Sequence, residues 1–190
     1  AHTIGARPVT AALNDDFSYN IERLLAAVTH RTKAVILCNP NNPTGTIVTR
    51  QQLAWLMERL PENVLVLSDE AYAEYVETPE YGTAMPYLGR GTVLVARTFS
   101  KIYGLAGLRI GYGITSPAAA QLMEKIRPPF NTTGLAQEAA TAALSDTAHL
   151  HRSYATNVRG KRFLSAALNR LGIAVTPSEA NFILCDLGHE

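Results

Sequence analysis

Seven polar residues of this 190-residue chain carry side chains that could do chemistry together. They are Asn42, Asp69, Tyr72, Thr98, Ser100, Lys101 and Arg109. A lysine amine forms a Schiff base with an aldehyde, and a carboxylate pairs with a cationic pyridinium nitrogen. Hydroxyl groups and a guanidinium suit the binding of a phosphate. Such a set of groups could hold an anionic aromatic aldehyde.

Each of these residues also has an ordinary structural explanation when it is considered alone. The segment 39–45 is rich in Asn, Pro and Gly, which form turns, and Asp69 could cap a helix. Lys101 could be solvated at the surface, as most lysines are, and Arg109 could pair with any carboxylate. The glycines at 104–113 match neither the dinucleotide-binding signature nor the P-loop signature. A functional site therefore depends on these residues meeting in space.

Short apolar runs predict the strands that would bring these residues together. Residues 34–38, 64–67 and 93–96 form such runs. Each run is followed by a polar cluster, a short segment that contains some of the seven residues. Continuous apolar character is typical of strands that are buried on both faces of a parallel sheet. Because ligands bind at the carboxyl ends of strands in open α/β sheets, we expect the clusters to converge at one sheet edge.

Amphipathic segments with clear end signals predict helices between and after the strands. Thr49 and Gln52 have the spacing of a capping box, and Pro61 ends the helix that they begin. Further helices are predicted over about 21–28, 117–127, 135–144 and 148–171. The alternation predicts an α/β fold with a mostly parallel central sheet flanked by helices.

The domain organisation follows from the end of the last predicted helix. Gly172 comes directly after that helix, and the residues beyond it are strand-like. We expect residues 1–171 to form one large domain and residues 172–190 to begin a smaller α/β domain. The chain starts with Ala1, and a strand-like run stops close to Glu190. Both ends lead us to expect a piece of a longer protein with an incomplete large domain.

Composition argues against several classes of protein. Seventeen Lys and Arg against sixteen Asp and Glu leave a net charge of +1, which gives no sign of nucleic-acid binding. No apolar run approaches the roughly 18 residues of a membrane span, and no signal peptide is visible. Cys38 and Cys185 lie in apolar runs and are interpreted as reduced core thiols of a cytoplasmic protein. His149 and His151 point to different helix faces, so no metal site is expected.

The order and spacing of the polar clusters resemble the class I/II aminotransferases, which are fold-type I enzymes dependent on pyridoxal 5'-phosphate (PLP). The likeness rests on CNPNNPTGT at 38–46, DEAY at 69–72, RTFSKIYGLAGLRIGY at 97–112, PFN at 129–131 and EANF at 179–182. Within the family, the histidinol-phosphate aminotransferase branch is the most similar. The likeness covers the whole chain but only the central half of a typical member.

The resemblance implies a role for each of the seven residues. Lys101 would bind PLP as a Schiff base and then move a proton at the substrate Cα, with Asp69 and Tyr72 completing the catalytic set. Asp69 would pair with the pyridine nitrogen, while Asn42 and Tyr72 would hydrogen-bond the ring oxygen O3′. The PLP phosphate would be held by Thr98, Ser100 and Arg109.

The implied activity of the full-length protein is amino transfer between histidinol phosphate and 2-oxoglutarate in histidine biosynthesis. The implied partners are an amino donor, a 2-oxo acid acceptor and a second copy of the chain, with neither nucleic acid nor membrane. We expect the present piece alone to be weakly active or inactive. The alternatives are an aromatic aminotransferase, a threonine-phosphate decarboxylase, or a non-catalytic aminotransferase-like domain of a transcription regulator.

Overall fold

A four-stranded sheet forms the centre of the computed structural model, which describes residues 5–188. The strands are β1 (Ala34–Cys38), β2 (Leu65–Asp69), β3 (Val93–Thr98) and β4 (Gly111–Thr115), and they lie side by side in that order. β1, β2 and β3 are parallel, and β4 runs antiparallel to β3. The predicted α/β class with a mostly parallel sheet is therefore confirmed. The outer limits of the predicted domains, residues 1 and 190, lie outside the described residues.

Five α-helices within residues 5–188 surround or follow this sheet. They are α1 (Ile21–Ala26), α2 (Arg50–Arg59), α3 (Pro117–Glu124), α4 (Gly134–Ser145) and α5 (Thr147–Arg170). Short 3₁₀ helices occupy Ala73–Tyr75, Met85–Arg90 and Ala106–Leu108. After α5, the strands β5 (Ala174–Thr176) and β6 (Leu184–Asp186) pair as a separate antiparallel sheet. The predicted helices all form, with ends that differ from the predictions by up to about three residues.

β4 is the strand that the sequence did not predict. Its sequence, GYGIT, contains Gly111 and Gly113, and glycine weakens both the apolar pattern and the strand propensity. A side chain at Gly111 would approach the Arg97 carbonyl oxygen to 2.8 Å, so the close pairing with β3 requires glycine there. Gly111 therefore weakens the strand signal in the sequence and is also needed for the packing of the strand.

The main hydrophobic core lies between one face of the sheet and α2. Val35, Leu37, Val66, Val93 and Val95 point inward from the strands. The helix and the residue that ends it contribute an apolar stripe, Leu53, Leu56, Met57 and Leu60. The predicted capping box is also present: the Thr49 backbone donates to Gln52 Oε1 at 2.9 Å, and the Gln52 backbone donates to Thr49 Oγ1 at 3.2 Å. Burial of this stripe and the cap together fix α2 against the sheet.

The expectation that the strands are buried on both faces is wrong for β1 within the described part of the chain. Along β1, Val35 and Leu37 are buried, whereas Ile36 between them is 65% exposed. Successive strand residues point to opposite faces, so this alternation means that one face of β1 lacks cover from residues 5–188. The two cysteines are likewise free thiols that are half-buried, not fully buried core groups. Burial raises the pKa of the Cys38 thiol above its usual value.

Within residues 5–188, no helix is both long and apolar enough to cross a membrane. No three His, Cys, Asp or Glu side chains in this part of the chain are grouped so that they could hold a metal ion.

A buried carboxylate ties the carboxyl ends of β2 and β3 together. Glu70, which follows β2, is 0% exposed and accepts hydrogen bonds from four other residues. Ala84 N donates at 2.8 Å, Ser68 Oγ at 3.2 Å and Thr83 Oγ1 at 2.9 Å. The fourth donor is Arg97 in β3, whose Nη2 lies 2.8 Å from Glu70 Oε2. These donors compensate the cost of removing the charge from water.

Arg97 also faces a second carboxylate, because its Nη1 lies 3.7 Å from Glu74 Oε1. Burial disfavours the charged form of Arg97, but the hydrogen bond and charge of Glu70 outweigh it, and the pKa of Arg97 lies above its usual value. Burial raises the pKa of Glu74, and the positive charge of Arg97 opposes that rise only in part. The guanidinium is thus held between two acidic groups that lie on the segment after β2.

Replacing Glu70 with alanine leaves Arg97 partly buried without its main counter-charge. We expect Glu70→Ala to lower the free energy of unfolding by about 3–5 kcal/mol. Urea denaturation followed by circular dichroism measures this loss. The matched control is Glu80→Ala, because Glu80 is exposed, and its effect should stay within about 0.5 kcal/mol. Equal effects of the two substitutions would contradict the structural role of the ion pair.

Candidate functional site

The loop between β1 and α2 is fixed from inside by the buried side chain of Asn39. Asn39 Nδ2 donates to the Gly82 carbonyl at 2.8 Å, and Val48 N donates to Asn39 Oδ1 at 2.9 Å. Within the loop, Gly45 N donates to the Asn41 carbonyl at 2.7 Å. The loop has no regular pattern of backbone hydrogen bonds, and these bonds take its place. The residues at the tip of the loop therefore occupy defined positions.

Three of the predicted site residues meet directly. Asn42 Nδ2 donates to the hydroxyl of Tyr72 at 3.2 Å. Lys101 Nζ lies over the same tyrosine ring, 5.0 Å from its centroid. Phe182 packs edge-on against the Tyr72 ring, with ring centroids 5.1 Å apart. The structure thus brings together an amide, a phenol and an amine that come from three separate loops.

Asp69 is the last residue of β2 and lies at the same edge of the sheet. It pairs in register with Cys38 of β1 and Ala96 of β3. Its Oδ1 accepts a hydrogen bond from the backbone of Ala71 at 3.2 Å, which is a local turn and not the helix cap considered as an alternative. No residue within 5–188 donates a hydrogen bond to Asp69 Oδ2, so that oxygen can accept one from a ligand.

Thr98 and Ser100 are joined, since Ser100 N donates to Thr98 Oγ1 at 3.0 Å. Arg109 lies beside them along the backbone, because the β3–β4 pairing continues through Phe99 N and the Ile110 carbonyl at 3.2 Å. The Arg109 guanidinium is exposed and donates to the Ala106 carbonyl at 2.6 Å. Within the described part of the chain it makes no hydrogen bond or ion pair with the other six candidates.

Arg109 has a left-handed backbone conformation, with φ of +52°. A side chain with a Cβ is disfavoured there, at a cost of about 1 kcal/mol or more. Strained backbone positions are concentrated at functional sites, where the side chain is needed in spite of the strain. The strain at Arg109 is therefore consistent with a binding role for its guanidinium.

The lysine loop is itself compact. Gly104 N donates to the Lys101 carbonyl at 3.0 Å, and Leu105 N donates to the Phe99 carbonyl at 2.9 Å. Gly104 has φ of +73°, a conformation that suits glycine, and it allows the chain to reverse immediately after Lys101. Gly107, the second glycine of this segment, lies in the 3₁₀ helix Ala106–Leu108, and a Cβ added there would meet nothing within 4 Å among residues 5–188.

Sequence reasoning missed several residues that hold the site in place. The hydroxyl of Tyr19 donates to the Cys38 carbonyl at 2.7 Å, and burial raises the pKa of Tyr19 to about 12. Near the end of the chain, Glu179 N donates to the Gly45 carbonyl at 2.8 Å. Tyr19 lies outside the segments that carry the family resemblance. Asn39, Glu179 and Phe182 lie within those segments, although no role was assigned to them.

Comparison with known proteins identifies relatives of the whole chain. The family described as aminotransferase class I and II matches residues 1–190. A histidinol-phosphate aminotransferase from Moorella thermoacetica is 44% identical over 189 residues, which cover 98% of this chain and 49% of that protein. Histidinol-phosphate aminotransferase 1 from Nitrosococcus oceani is 47% identical over 172 residues, covering 90% of this chain and 46% of the relative. The chain therefore spans about half the length of the curated relatives that it matches.

Solved structures include a similar backbone arrangement. The crystal structure of histidinol-phosphate aminotransferase from Sinorhizobium meliloti in complex with pyridoxal-5'-phosphate superposes with a TM-score of 0.90. Its sequence is 35% identical to this chain, and the match covers 97% of this chain and 50% of that one.

Gly45 links the loop that carries Asn42 to the end of the chain, and alanine should not be tolerated there. Its φ is +76°, and an added Cβ would overlap the Ser178 side chain and approach the Ser178 Cα to 2.9 Å. We expect Gly45→Ala to lower the free energy of unfolding by about 2 kcal/mol or more. The control is Gly89→Ala, because an added Cβ at Gly89 meets nothing within 4 Å. Thermal denaturation of both variants measures the difference, and equal midpoints would contradict the proposed packing.

Proposed function

Because the chain belongs to the aminotransferase class I and II family, we propose that the full-length protein is a PLP-dependent aminotransferase. Its substrates are histidinol phosphate as amino donor and 2-oxoglutarate as acceptor, a reaction of histidine biosynthesis. The observation that carries this proposal is the contact of Asn42, Tyr72 and Lys101 at the strand ends. The two relatives at 44% and 47% identity are both named for the histidinol-phosphate reaction, which supports this substrate over others.

The residues at the site fit PLP by their chemistry. When bound, PLP supplies an aldehyde that captures amines and a ring that withdraws electrons from the substrate Cα. Lys101 would supply the amine for that aldehyde, and its Nζ lies over the Tyr72 ring, 5.0 Å from the ring centroid. Asp69 supplies a carboxylate oxygen, free of protein donors within residues 5–188, for the ring nitrogen. Its negative charge keeps a proton on that nitrogen.

The hydrogen bond from Asn42 determines whether the Tyr72 hydroxyl can donate to another group. Asn42 Nδ2 donates to the Tyr72 hydroxyl oxygen, so the hydrogen of that hydroxyl remains available for another acceptor. We assign this hydrogen to the ring oxygen of the cofactor. With PLP bound, the Lys101 amine would act as the base that moves a proton from the substrate Cα to the cofactor.

The phosphate of the cofactor is assigned to Thr98, Ser100 and Arg109. Thr98 and Ser100 carry hydroxyls at the end of β3, and the backbone pairing places Arg109 beside them. A guanidinium forms charge-assisted hydrogen bonds with phosphate oxygens, which is a reason to retain arginine at a strained position. In this role, Arg109 exchanges its bond to the Ala106 carbonyl for bonds to the phosphate.

The other functions considered have less support. An aromatic aminotransferase or a threonine-phosphate decarboxylase would share the cofactor residues, because PLP chemistry is common to them. A regulator domain would share the fold without turnover. Product analysis of the full-length protein separates these possibilities: a keto product from histidinol phosphate supports the proposal, carbon dioxide release supports the decarboxylase, and no turnover supports the regulator.

The proposed assembly is a cytoplasmic homodimer in which residues 1–171 belong to the PLP-binding domain and residues 172–190 begin a smaller domain. The separate pairing of β5 with β6 after Gly172 supports this division. Large apolar side chains support a covering partner, since Ile126 is 83% and Phe130 is 98% exposed. Sedimentation of the full-length protein tests the dimer.

Cofactor attachment tests the proposed catalytic lysine. After the full-length protein is mixed with PLP and reduced with borohydride, we expect mass spectrometry to find the pyridoxyl group on Lys101. Lys101→Ala should abolish this label and lower kcat by about 10³-fold or more, because both the amine and the base are lost. Lys125→Ala, which removes an exposed lysine, is the matched control and should behave like the unsubstituted protein. Labelling that persists in Lys101→Ala would contradict the assignment.

Arg109 allows binding and stability to be separated. We expect Arg109→Gly to raise the Kd for PLP by about 10- to 100-fold, through the loss of charge-assisted hydrogen bonds. Its stability should not fall, because glycine adopts a φ of +52° without strain. Arg109→Lys keeps the charge and should lie between the two in affinity. A stability loss without any change in PLP affinity would show that Arg109 is a structural residue.

A further inference from the structure

His149, in the first turn of α5, reaches the loop that carries Lys101. Its Nε2 lies 2.9 Å from the carbonyl oxygen of Ile102, the residue that follows the lysine. A carbonyl oxygen only accepts hydrogen bonds, so Nε2 must carry the hydrogen in this contact. The pair is 47 residues apart in sequence and joins two segments that the predicted motifs treat separately.

The imidazole is oriented by its own helix. Ser153, one turn later in α5, places its Oγ 3.2 Å from the same Nε2, where it shares the hydrogen as a second acceptor. At the start of the helix, the Asp146 side chain accepts a hydrogen bond from His149 N at 2.8 Å and caps α5. The backbone and ring of His149 are therefore both fixed when the ring meets the Ile102 carbonyl.

The peptide unit after Lys101 is anchored on two sides. The Ile102 side chain is buried in the cluster that contains Tyr72, and its carbonyl oxygen is held by His149. The ring also lies near the glycine turn, since a Cβ built on Gly104 would lie 4.0 Å from His149 Nε2. With Ile102 held from both directions, the Lys101 backbone has little freedom to rotate. The direction of its side chain across the Tyr72 ring is then restricted as well.

We propose that His149 is a positioning residue for Lys101: its Nε2–H holds the Ile102 carbonyl and thereby sets how the lysine amine faces the cofactor. This inference rests on the proposed function, in which Lys101 is the PLP-binding lysine. Within the described part of the chain, His149 makes no hydrogen bond to Lys101 Nζ or to Tyr72, so in this proposal it acts through the backbone.

The test compares three variants of the full-length protein. His149→Ala removes the donor, whereas His149→Gln offers an amide N–H that can reach the same carbonyl. His151→Ala is the matched control, because His151 lies two residues along α5, is exposed and points to a different helix face. Hydrogen exchange of the PLP-free protein reports on the loop over residues 99–105 without any contribution from cofactor chemistry. Absorbance of the bound PLP and the rate of borohydride trapping on Lys101 report on the amine.

We expect exchange in the loop to be about three- to tenfold faster in His149→Ala, which is the effect of losing one hydrogen bond. Trapping on Lys101 and kcat should fall by a similar factor, with a smaller change in KM. His149→Gln should recover most of each loss, and His151→Ala should match the unsubstituted protein. This pattern would support a positioning role for the Nε2 hydrogen.

Other outcomes would overturn the proposal in distinguishable ways. Unchanged exchange and trapping in His149→Ala would show that the contact does not restrain the loop. A loss that His149→Gln does not rescue would show that the ring only fills space. Absence of Lys101 labelling in the unsubstituted protein would contradict the proposed function itself, and the role of His149 in catalysis would fall with it.

Discussion

The ion pair between Glu70 and Arg97 joins the ends of the two central strands, and the site residues are its sequence neighbours. Glu70 lies between Asp69 and Tyr72 in the chain, and Arg97 precedes Thr98 and Lys101. A fully buried carboxylate is costly unless donors surround it, so Ser68, Thr83 and Ala84 have to take up fixed positions as well. The distance between the carboxylate side and the lysine side of the site therefore depends on this pair.

The rest of the site lies on loops, where the regular hydrogen bonds between strands have ended. These loops are held in place by hydrogen bonds from other polar groups. The buried Asn39 side chain fixes the Asn42 loop from inside, and Glu179 reaches its Gly45 carbonyl from outside. His149 does the same for the loop after Lys101. In each case a side chain or a backbone amide bonds to a backbone group that the sheet leaves free. This explains how side chains from three loops meet without a continuous element beneath them.

Much of this fold could be predicted from local sequence pattern. The three parallel strands, the helices and the Thr49–Gln52 cap all follow from signals that act within a few residues, namely apolar runs, turn residues and capping side chains. β4 escaped because its glycines serve close packing against β3, which is a requirement set by another strand. The exposure of Ile36 escaped for a related reason, since an apolar run does not say what covers each face of its strand.

The sequence by itself determined which groups are available for chemistry and at which strand ends they occur. It also determined the family, because motif order and spacing persist along the chain. The tertiary structure decided which groups touch: Asn42 and Tyr72 are 30 residues apart, yet share a hydrogen bond, while Arg109 bonds instead to a backbone carbonyl. It also decided that Glu70 pairs with Arg97 and that His149 meets the Ile102 carbonyl, two contacts that no local sequence pattern indicates. The physical reason is that burial and hydrogen-bond pairing depend on distant segments meeting, and local pattern does not encode such meetings.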